Sequence, residues 1–213
     1  MLVAGLAMAQ PTGRHPISGR EYAQPMGVGG APWLERAERE QEEQPTRALQ
    51  IMKIEPGMTV ADIGAGSGYF TERLARLVGS GGHVYASDIQ RGMLDLLEKR
   101  LAREKLQNVT LILGEPSNPR LPAGALDVAL MVDVYHELWA PQVVLRHIQA
   151  ALKPTGRLVL IEYKGEVPAI PIIPSHKMTV AQAKLELESE GFMLATADSS
   201  LPRQHVLIFR KRD

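Results

Sequence analysis

The chain of 213 residues contains no cysteine, so disulfide bridges, thiolate metal sites and thiol nucleophiles are excluded. It has no excess charge of either sign, because 24 Lys and Arg balance 24 Asp and Glu. A neutral chain lacks the positive field that a polyphosphate backbone demands, which argues against nucleic acid as a partner. No apolar run approaches the roughly 18 residues needed for a membrane-spanning helix. What is present is ordinary for one α/β domain with a sizeable core: 45% hydrophobic and 23% charged residues.

The beginning of the chain is unusual. "MLVAGLAMAQ" is apolar and ends in Ala7-Met8-Ala9, an A-x-A-like pattern that resembles the tail of a secretory signal peptide. It has no basic segment before it and is too short to be a whole signal. Residues 1–9 therefore read as a truncated signal or a disordered leader. Residues 1–32 are rich in Gly and Pro without periodicity and read as a flexible arm. Residues 33–213 read as one domain, opened by a helical cap over 33–55. In that cap, Trp33 to Gln44 is charged and helix-prone, Pro45 interrupts it, and Thr46 is the expected cap of a second short helix.

From Thr59 the pattern alternates. Strands are expected at Thr59–Ile63, His83–Asp88, Thr110–Leu113, Asp127–Val132 and Arg157–Tyr163. Helices are expected at Tyr69–Val78, Arg91–Glu104 and Pro141–Leu152, each with apolar residues at helical spacing. Such alternation implies a parallel sheet covered by helices on both faces, a doubly wound three-layer αβα fold. After a helix at Val180–Glu190, "FMLATAD" and "HVLIFRK" are separated only by "SSLPRQ", too short for a crossover. They form an antiparallel hairpin.

"TVADIGAGSGYF" places Gly64, Gly66 and Gly68 between a strand and a helix, the setting in which free helix N–H groups meet an anionic or nucleotide ligand. A dinucleotide loop would carry its third glycine at position 69, where Tyr stands. Asp62, at the strand end, would repel a pyrophosphate and suits a ligand with a cationic ammonium. Asp88 ends the second strand, where an acid can accept hydrogen bonds from a ribose diol.

These residues resemble the class I (Rossmann-like) S-adenosylmethionine-dependent methyltransferases. "VADIGAGSGYFT" is similar to their first motif, hydrophobic-x-(D/E)-x-G-x-G-x-G. The resemblance runs from about Glu43 to Arg210 and implies a seven-stranded, mostly parallel sheet with an antiparallel C-terminal hairpin. It further implies S-adenosylmethionine as cofactor, S-adenosylhomocysteine as product, and a site made by Asp62, Gly64, Ala65, Gly66, Gly68, Asp88 and Ile89. Glu115 of "LILGEP" corresponds to an adenine-contacting acid, and Asp133 and Val134 of "LDVALMVDVYHEL" to the fourth-strand motif beside the cofactor. "LKPTGRLVLIEY" resembles the fifth strand, with Thr155 replacing a usual glycine.

Methyl transfer needs alignment and exclusion of water, and a general base only when the acceptor must lose a proton. His136 or Tyr135, just past the fourth strand, is the expected base. Tyr22, Trp33 and His176 are candidate substrate contacts. The zincin pattern H-E-x-x-H is absent at His136-Glu137, and no metal is expected. The run "ERAEREQEE" reads as a solvated helix face. Neutral charge, the absence of an (N/D/S)-P-P-(Y/F/W) motif and a short apolar segment over 164–178 point to a small, partly apolar acceptor. The general resemblance is to the small-molecule branch that includes quinone-biosynthesis methyltransferases. A monomer or homodimer is expected, in the cytoplasm, where S-adenosylmethionine is made, with export as the alternative suggested by the signal-like start. The alternatives are a non-catalytic S-adenosylmethionine-binding protein and an NAD-dependent oxidoreductase.

Overall fold

The computed structural model describes residues 13–212, so the signal-like stretch ending in Ala7-Met8-Ala9 lies outside the described residues. Three short helices lead in: α1 (Ala31–Leu34), α2 (Arg39–Glu43) and α3 (Pro45–Met52). The alternating body follows as β1 (Thr59–Ile63), α4 (Tyr69–Val78), β2 (His83–Asp88), α5 (Arg91–Glu104), β3 (Val109–Leu113), β4 (Leu126–Val132), α6 (Pro141–Ala151) and β5 (Leu152–Lys164). It ends with the two-residue β6 (Lys177–Met178), α7 (Val180–Ser189), β7 (Phe192–Asp198) and β8 (Gln204–Lys211).

The strand order is β3-β2-β1-β4-β5-β8-β7, with β6 paired to the end of β5. The seven-stranded path matches the expected sheet, and β6 adds an eighth strand. β1 pairs in parallel with both β2 and β4, so the winding direction reverses between β1 and β4. A crevice opens at the carboxyl ends of the strands at such a reversal. β8 runs antiparallel to both β5 and β7, as the short connection requires.

Alternation along the central strands divides the core. Val60, Val128, Leu130, Val159 and Ile161 pack with Ala48, Met52, Phe70 and Leu74 from α3 and α4. Ala61, Ile63, Ala129, Met131, Leu158 and Leu160 pack with Val144, Ile148, Ala183 and Leu187 from α6 and α7. Both faces of the sheet are therefore covered, which is why these strands read as nearly continuous apolar runs. A third cluster joins Ala86 to Leu94, Leu97 and Leu101 of α5.

Several local expectations change. The segment Trp33 to Gln44 is two helices rather than one, and the cap of α3 is Gln44, in a left-handed conformation, not Thr46. Thr46 Oγ1 instead donates to Glu40, 3.0 Å away. The charged run is not all solvated: Arg39 and Glu43 are buried, paired at 2.7 Å, and Tyr163 donates to Glu43 at 2.5 Å. The "KPTG" turn becomes an irregularity within β5, whose partners on β4 jump from Leu126↔Leu152 to Val128↔Arg157.

Residues 13–32 pack on the domain. Arg20 is buried and donates to both oxygens of the fully buried Glu186 at 3.1 Å, and to the backbone oxygen of His136 at 2.8 Å. Ala23 N–H donates to the same oxygen at 3.1 Å. Gln90 Nε2 donates to Met26 O at 2.8 Å, tying this segment to the other side of the crevice.

Candidate functional site

A cavity of about 450 Å³ lies at the carboxyl ends of β1, β2, β4 and β5. One end is walled by Gly64, Gly66, Asp88, Ile89 and Glu115, and the other by His136, Glu137, Ile172, Ile173 and His176. Asp133, Val134 and Tyr163 lie on its wall, and Trp33, Leu34 and Arg39 of the leading helices face it as well.

The glycine turn is held by the neighbouring strand. Gly64 and Ala65 N–H groups donate to Ser87 O at 2.8 and 3.1 Å. Gly64 has φ +73°, and an added Cβ would lie 2.4 Å from Val134 Cγ2, so glycine is required both by the backbone and by the close approach of the β4 tip. Asp88 accepts from Gly66 N through one oxygen and from Gln90 N through the other, each at 2.8 Å. Burial raises its carboxyl pKa, and those backbone donors offset part of the rise. Asp88 lines the cavity, and a carboxylate with two oxygens at a strand end can accept from a diol.

Asp62 is placed differently from the expectation. It does not line the cavity, and neither do Ala65 and Gly68. Its carboxylate is buried and accepts from Thr71 Oγ1 at 2.6 Å. Burial pushes the group up to about 6 despite that bond. Thr71, the partner that the sequence did not reveal, sits nine residues on, in the first turns of α4.

Asp133 supplies the acid at the wall. Its φ is +54°, rare for a residue other than glycine, and its N–H donates to Ile161 O at 2.8 Å. Gln204 Nε2 donates to Oδ2 at 2.7 Å, while Oδ1 is buried with no hydrogen-bond partner among the described residues. Burial, with Glu43 and Glu162 nearby, holds its carboxyl pKa well above the usual range. A cation or donor entering the cavity would satisfy this oxygen.

Beyond Asp133 the chain makes a 3₁₀ turn, Tyr135–Glu137. His136 is buried, with Nδ1 2.5 Å from Glu162 Oε2 and Nε2 3.1 Å from His176 Nδ1. Glu162 is fully buried in β5 and also accepts from Tyr135 N at 3.0 Å. Glu137 is raised well above the usual carboxylate range by burial first and by Glu162, Asp133 and Asp88 next. His176 is lowered by burial and by His136.

The other candidates separate. Trp33 is on the cavity wall, with the Arg36 guanidinium 3.8 Å from its ring centroid. Tyr22 is off the wall, edge-on to His15 at 6.4 Å. Tyr135 is fully buried, away from the cavity wall, and its phenol pKa is pushed well above its ordinary value by burial, so it is not positioned to serve as a base. Glu115 is on the wall and ion-paired with Arg120. Sequence reasoning passed over Glu162, Glu137, Arg39 and Gln204. The signal for Glu162 was an acid inside the apolar strand "RLVLIEYK", a place where a charge is costly without a partner.

A family model described as a methyltransferase domain matches residues 54–200. The chain is 29% identical over 114 residues to a demethylmenaquinone methyltransferase of Geobacillus sp. (strain WCH70), covering 54% of this chain and 49% of that protein. It is 26% identical over 136 residues to a protein-L-isoaspartate O-methyltransferase of Methanothrix thermoacetophila, covering 62% of this chain and 60% of that protein. The chain spans about half the length of the curated relatives it matches. Among solved structures, a SAM-dependent methyltransferase from Aquifex aeolicus superposes with a TM-score of 0.82 at 25% identity, covering 87% of this chain and 98% of that one.

Proposed function

The chain belongs to the methyltransferase-domain family, and on that premise we propose that it transfers the methyl group of S-adenosylmethionine to a small, partly apolar acceptor. Family membership sets aside the dinucleotide-oxidoreductase alternative. The observation that carries the reading is one continuous cavity with a polar, glycine-turned end and an apolar, histidine-bearing end.

The residues present fit the cofactor. Asp88 offers both oxygens at a strand end, the exposed side chain of Ile89 offers an apolar face, and the orphaned Oδ1 of Asp133 suits an ammonium. Asp62, hydrogen-bonded behind the wall, acts by fixing the turn through Thr71. When bound, the sulfonium supplies an already activated methyl group. The chain's own task is to align the acceptor and exclude water. Trp33, Leu34 and the segment Pro171–Ile173 give the cavity apolar walls. Where the acceptor must lose a proton, the His136–His176 pair is positioned to take it, with Glu162 holding the His136 ring.

The two relatives named above act, by their names, on a quinone precursor and on a protein residue. The apolar Pro171–Ile173 wall supports the small-molecule side of that division. Within 13–212 no helix is long and apolar enough to cross a membrane. Calorimetric titration with S-adenosylmethionine, followed by S-adenosylhomocysteine release in the presence of a library of small hydroxylated and quinonoid compounds, tests the proposal. Micromolar cofactor binding with turnover on one compound class is expected. Binding without turnover on any class would favour a non-catalytic binding protein, and no binding would end the reading. Replacing His136 with Ala should abolish turnover with little change in cofactor affinity; unchanged turnover sinks the base assignment.

A further inference from the structure

The acceptor end holds more than a base needs. One ring nitrogen each from His136 and His176 and a Glu137 carboxylate oxygen all lie within 4.8 Å of one another, and His136 Nε2 and His176 Nδ1 are the ring nitrogens that face each other. They come from two separate 3₁₀ turns, Tyr135–Glu137 and Pro174–His176, brought together above the sheet. All three side chains lie on the cavity wall.

We infer that His136, Glu137 and His176 form a binding site for a divalent first-row transition ion, open toward the acceptor. Four observations point to it. The two ring nitrogens are 3.1 Å apart, close to the roughly 3.3 Å that two imidazoles at about 2.0–2.1 Å from a tetrahedral Zn²⁺ would show. The other nitrogen of His136 is engaged by the buried Glu162 at 2.5 Å, the carboxylate–histidine arrangement that orients a metal-bound imidazole and raises its basicity. Glu137 makes no ion pair among the described residues, and the charges nearest it are the carboxylates of Glu162, Asp133 and Asp88. A half-buried carboxylate among other acids is favoured by a dication beside it. Finally, the donor set is two imidazoles and one carboxylate with no thiolate, which suits Zn²⁺ and its first-row neighbours rather than soft monovalent ions.

Three protein ligands leave coordination positions open in a cavity that Ile172 and Ile173 also line. This role, unlike the metal binding itself, rests on the methyltransferase reading above. It narrows the acceptor to an apolar compound carrying a hydroxyl or similar heteroatom that ligates the ion. With His136 Nε2 and His176 Nδ1 engaged by the ion, neither nitrogen is free to take a proton, so the ion would stand in place of the base proposed above.

The test uses untagged, full-length, chelator-treated protein. Zn²⁺ alone is titrated by calorimetry, and Co²⁺ is added separately to record its visible absorption. The expected result is one ion per chain with micromolar or tighter affinity, weakened at least tenfold in both His176→Ala and Glu137→Gln. His83→Gln, far from the cavity on β2, should bind as the wild type does. A wild-type protein that binds no Zn²⁺, or either cavity variant binding it as tightly as the wild type, overturns the inference. S-adenosylmethionine titration of the same samples reports separately on the fold and on the methyltransferase reading, so loss of one conclusion is distinguishable from loss of the other.

Discussion

At one end of the cavity, Gly64, Gly66 and Asp88 belong to a single β-α-β unit, and their contacts are largely with backbone. At the other end, Arg20, His136, Glu162, His176 and Glu186 come from five separated segments and hold one another through buried side chains. The first end depends on local conformation. The second depends on the long-range return of the chain over the strand tips. The cofactor end should therefore be sensitive to backbone changes, and the acceptor end to the loss of single charged partners.

The largest expected effect breaks the acceptor end from outside the cavity. Arg20→Ala leaves Glu186 buried without its guanidinium and removes a donor from His136 O. Removing one partner of a buried pair costs about 3–5 kcal/mol. Denaturant unfolding should show that loss, together with reduced methyl transfer. A change under about 1 kcal/mol would mean that the N-terminal segment is dispensable and that the acceptor end is self-supporting.

Asp62 gives a pH signature at the cofactor end. Its folded carboxyl titrates at about 6 against an ordinary 3.8. The folded state thus holds this proton more tightly than the unfolded chain, so stability falls as pH rises from about 4 to about 6 and levels off above that. Fully expressed, the shift corresponds to about 3 kcal/mol. Asp133, Glu137 and Asp88 are shifted in the same direction, so the measurement is the difference between chains. Unfolding free energies at pH 4 and pH 7 should differ less in Asp62→Asn than in the wild type. Equal slopes would show that Asp62 is not held as described.

Gly64→Ala acts on the backbone alone. A side chain at positive φ costs roughly 1–2 kcal/mol, and here it also displaces Val134. Affinity for S-adenosylmethionine should fall tenfold or more by calorimetry, with the His136–His176 site left able to bind Zn²⁺. Loss of both would show that the two ends are coupled rather than separate. The smallest effect is expected for Glu115→Gln. This residue is about half exposed and already paired with Arg120, and surface pairs are worth at most about 1 kcal/mol. Cofactor affinity should change threefold or less, and a larger loss would make Glu115 a principal adenine contact.

The legibility of the molecule follows the same division. Element boundaries for β1, α4, β2 and α5 were readable to the residue, because each is a short stretch with its own periodicity and its own glycine or acid at the end. The helical cap was read less well. Gln44 rather than Thr46 begins α3 because the chain turns through a left-handed residue there, and neighbouring composition does not encode that choice. The run around Arg39 and Glu43 looked solvated because its charges are intrahelical partners. Only the position of Tyr163 on β5 shows that this pair faces inward.

The candidate residues divide in the same way. Asp62 was recognisable as special from its place before Gly64, but its contact with Thr71 moves it behind the wall, while Asp133, Asp88, Glu115 and Glu137 are the acids that line the cavity. Tyr135 and His136 are adjacent in sequence and equally plausible as bases. The 3₁₀ turn sends the tyrosine into the core and the histidine toward His176.

By itself, the sequence determined the order and type of the elements, the parallel core with its antiparallel hairpin, and the glycine turn with Asp88 across from it. These depend on periodicities of two and 3.6 residues and on conformations confined to a few neighbouring positions. Only the tertiary structure decided that Glu162 stands behind His136, that His176 and Glu137 meet it, and that Arg20 ties them to Glu186. Those contacts join residues up to 166 positions apart. Their distances are set by strand order and by the path of the proline-rich segment back over the sheet, which no local pattern of residues specifies.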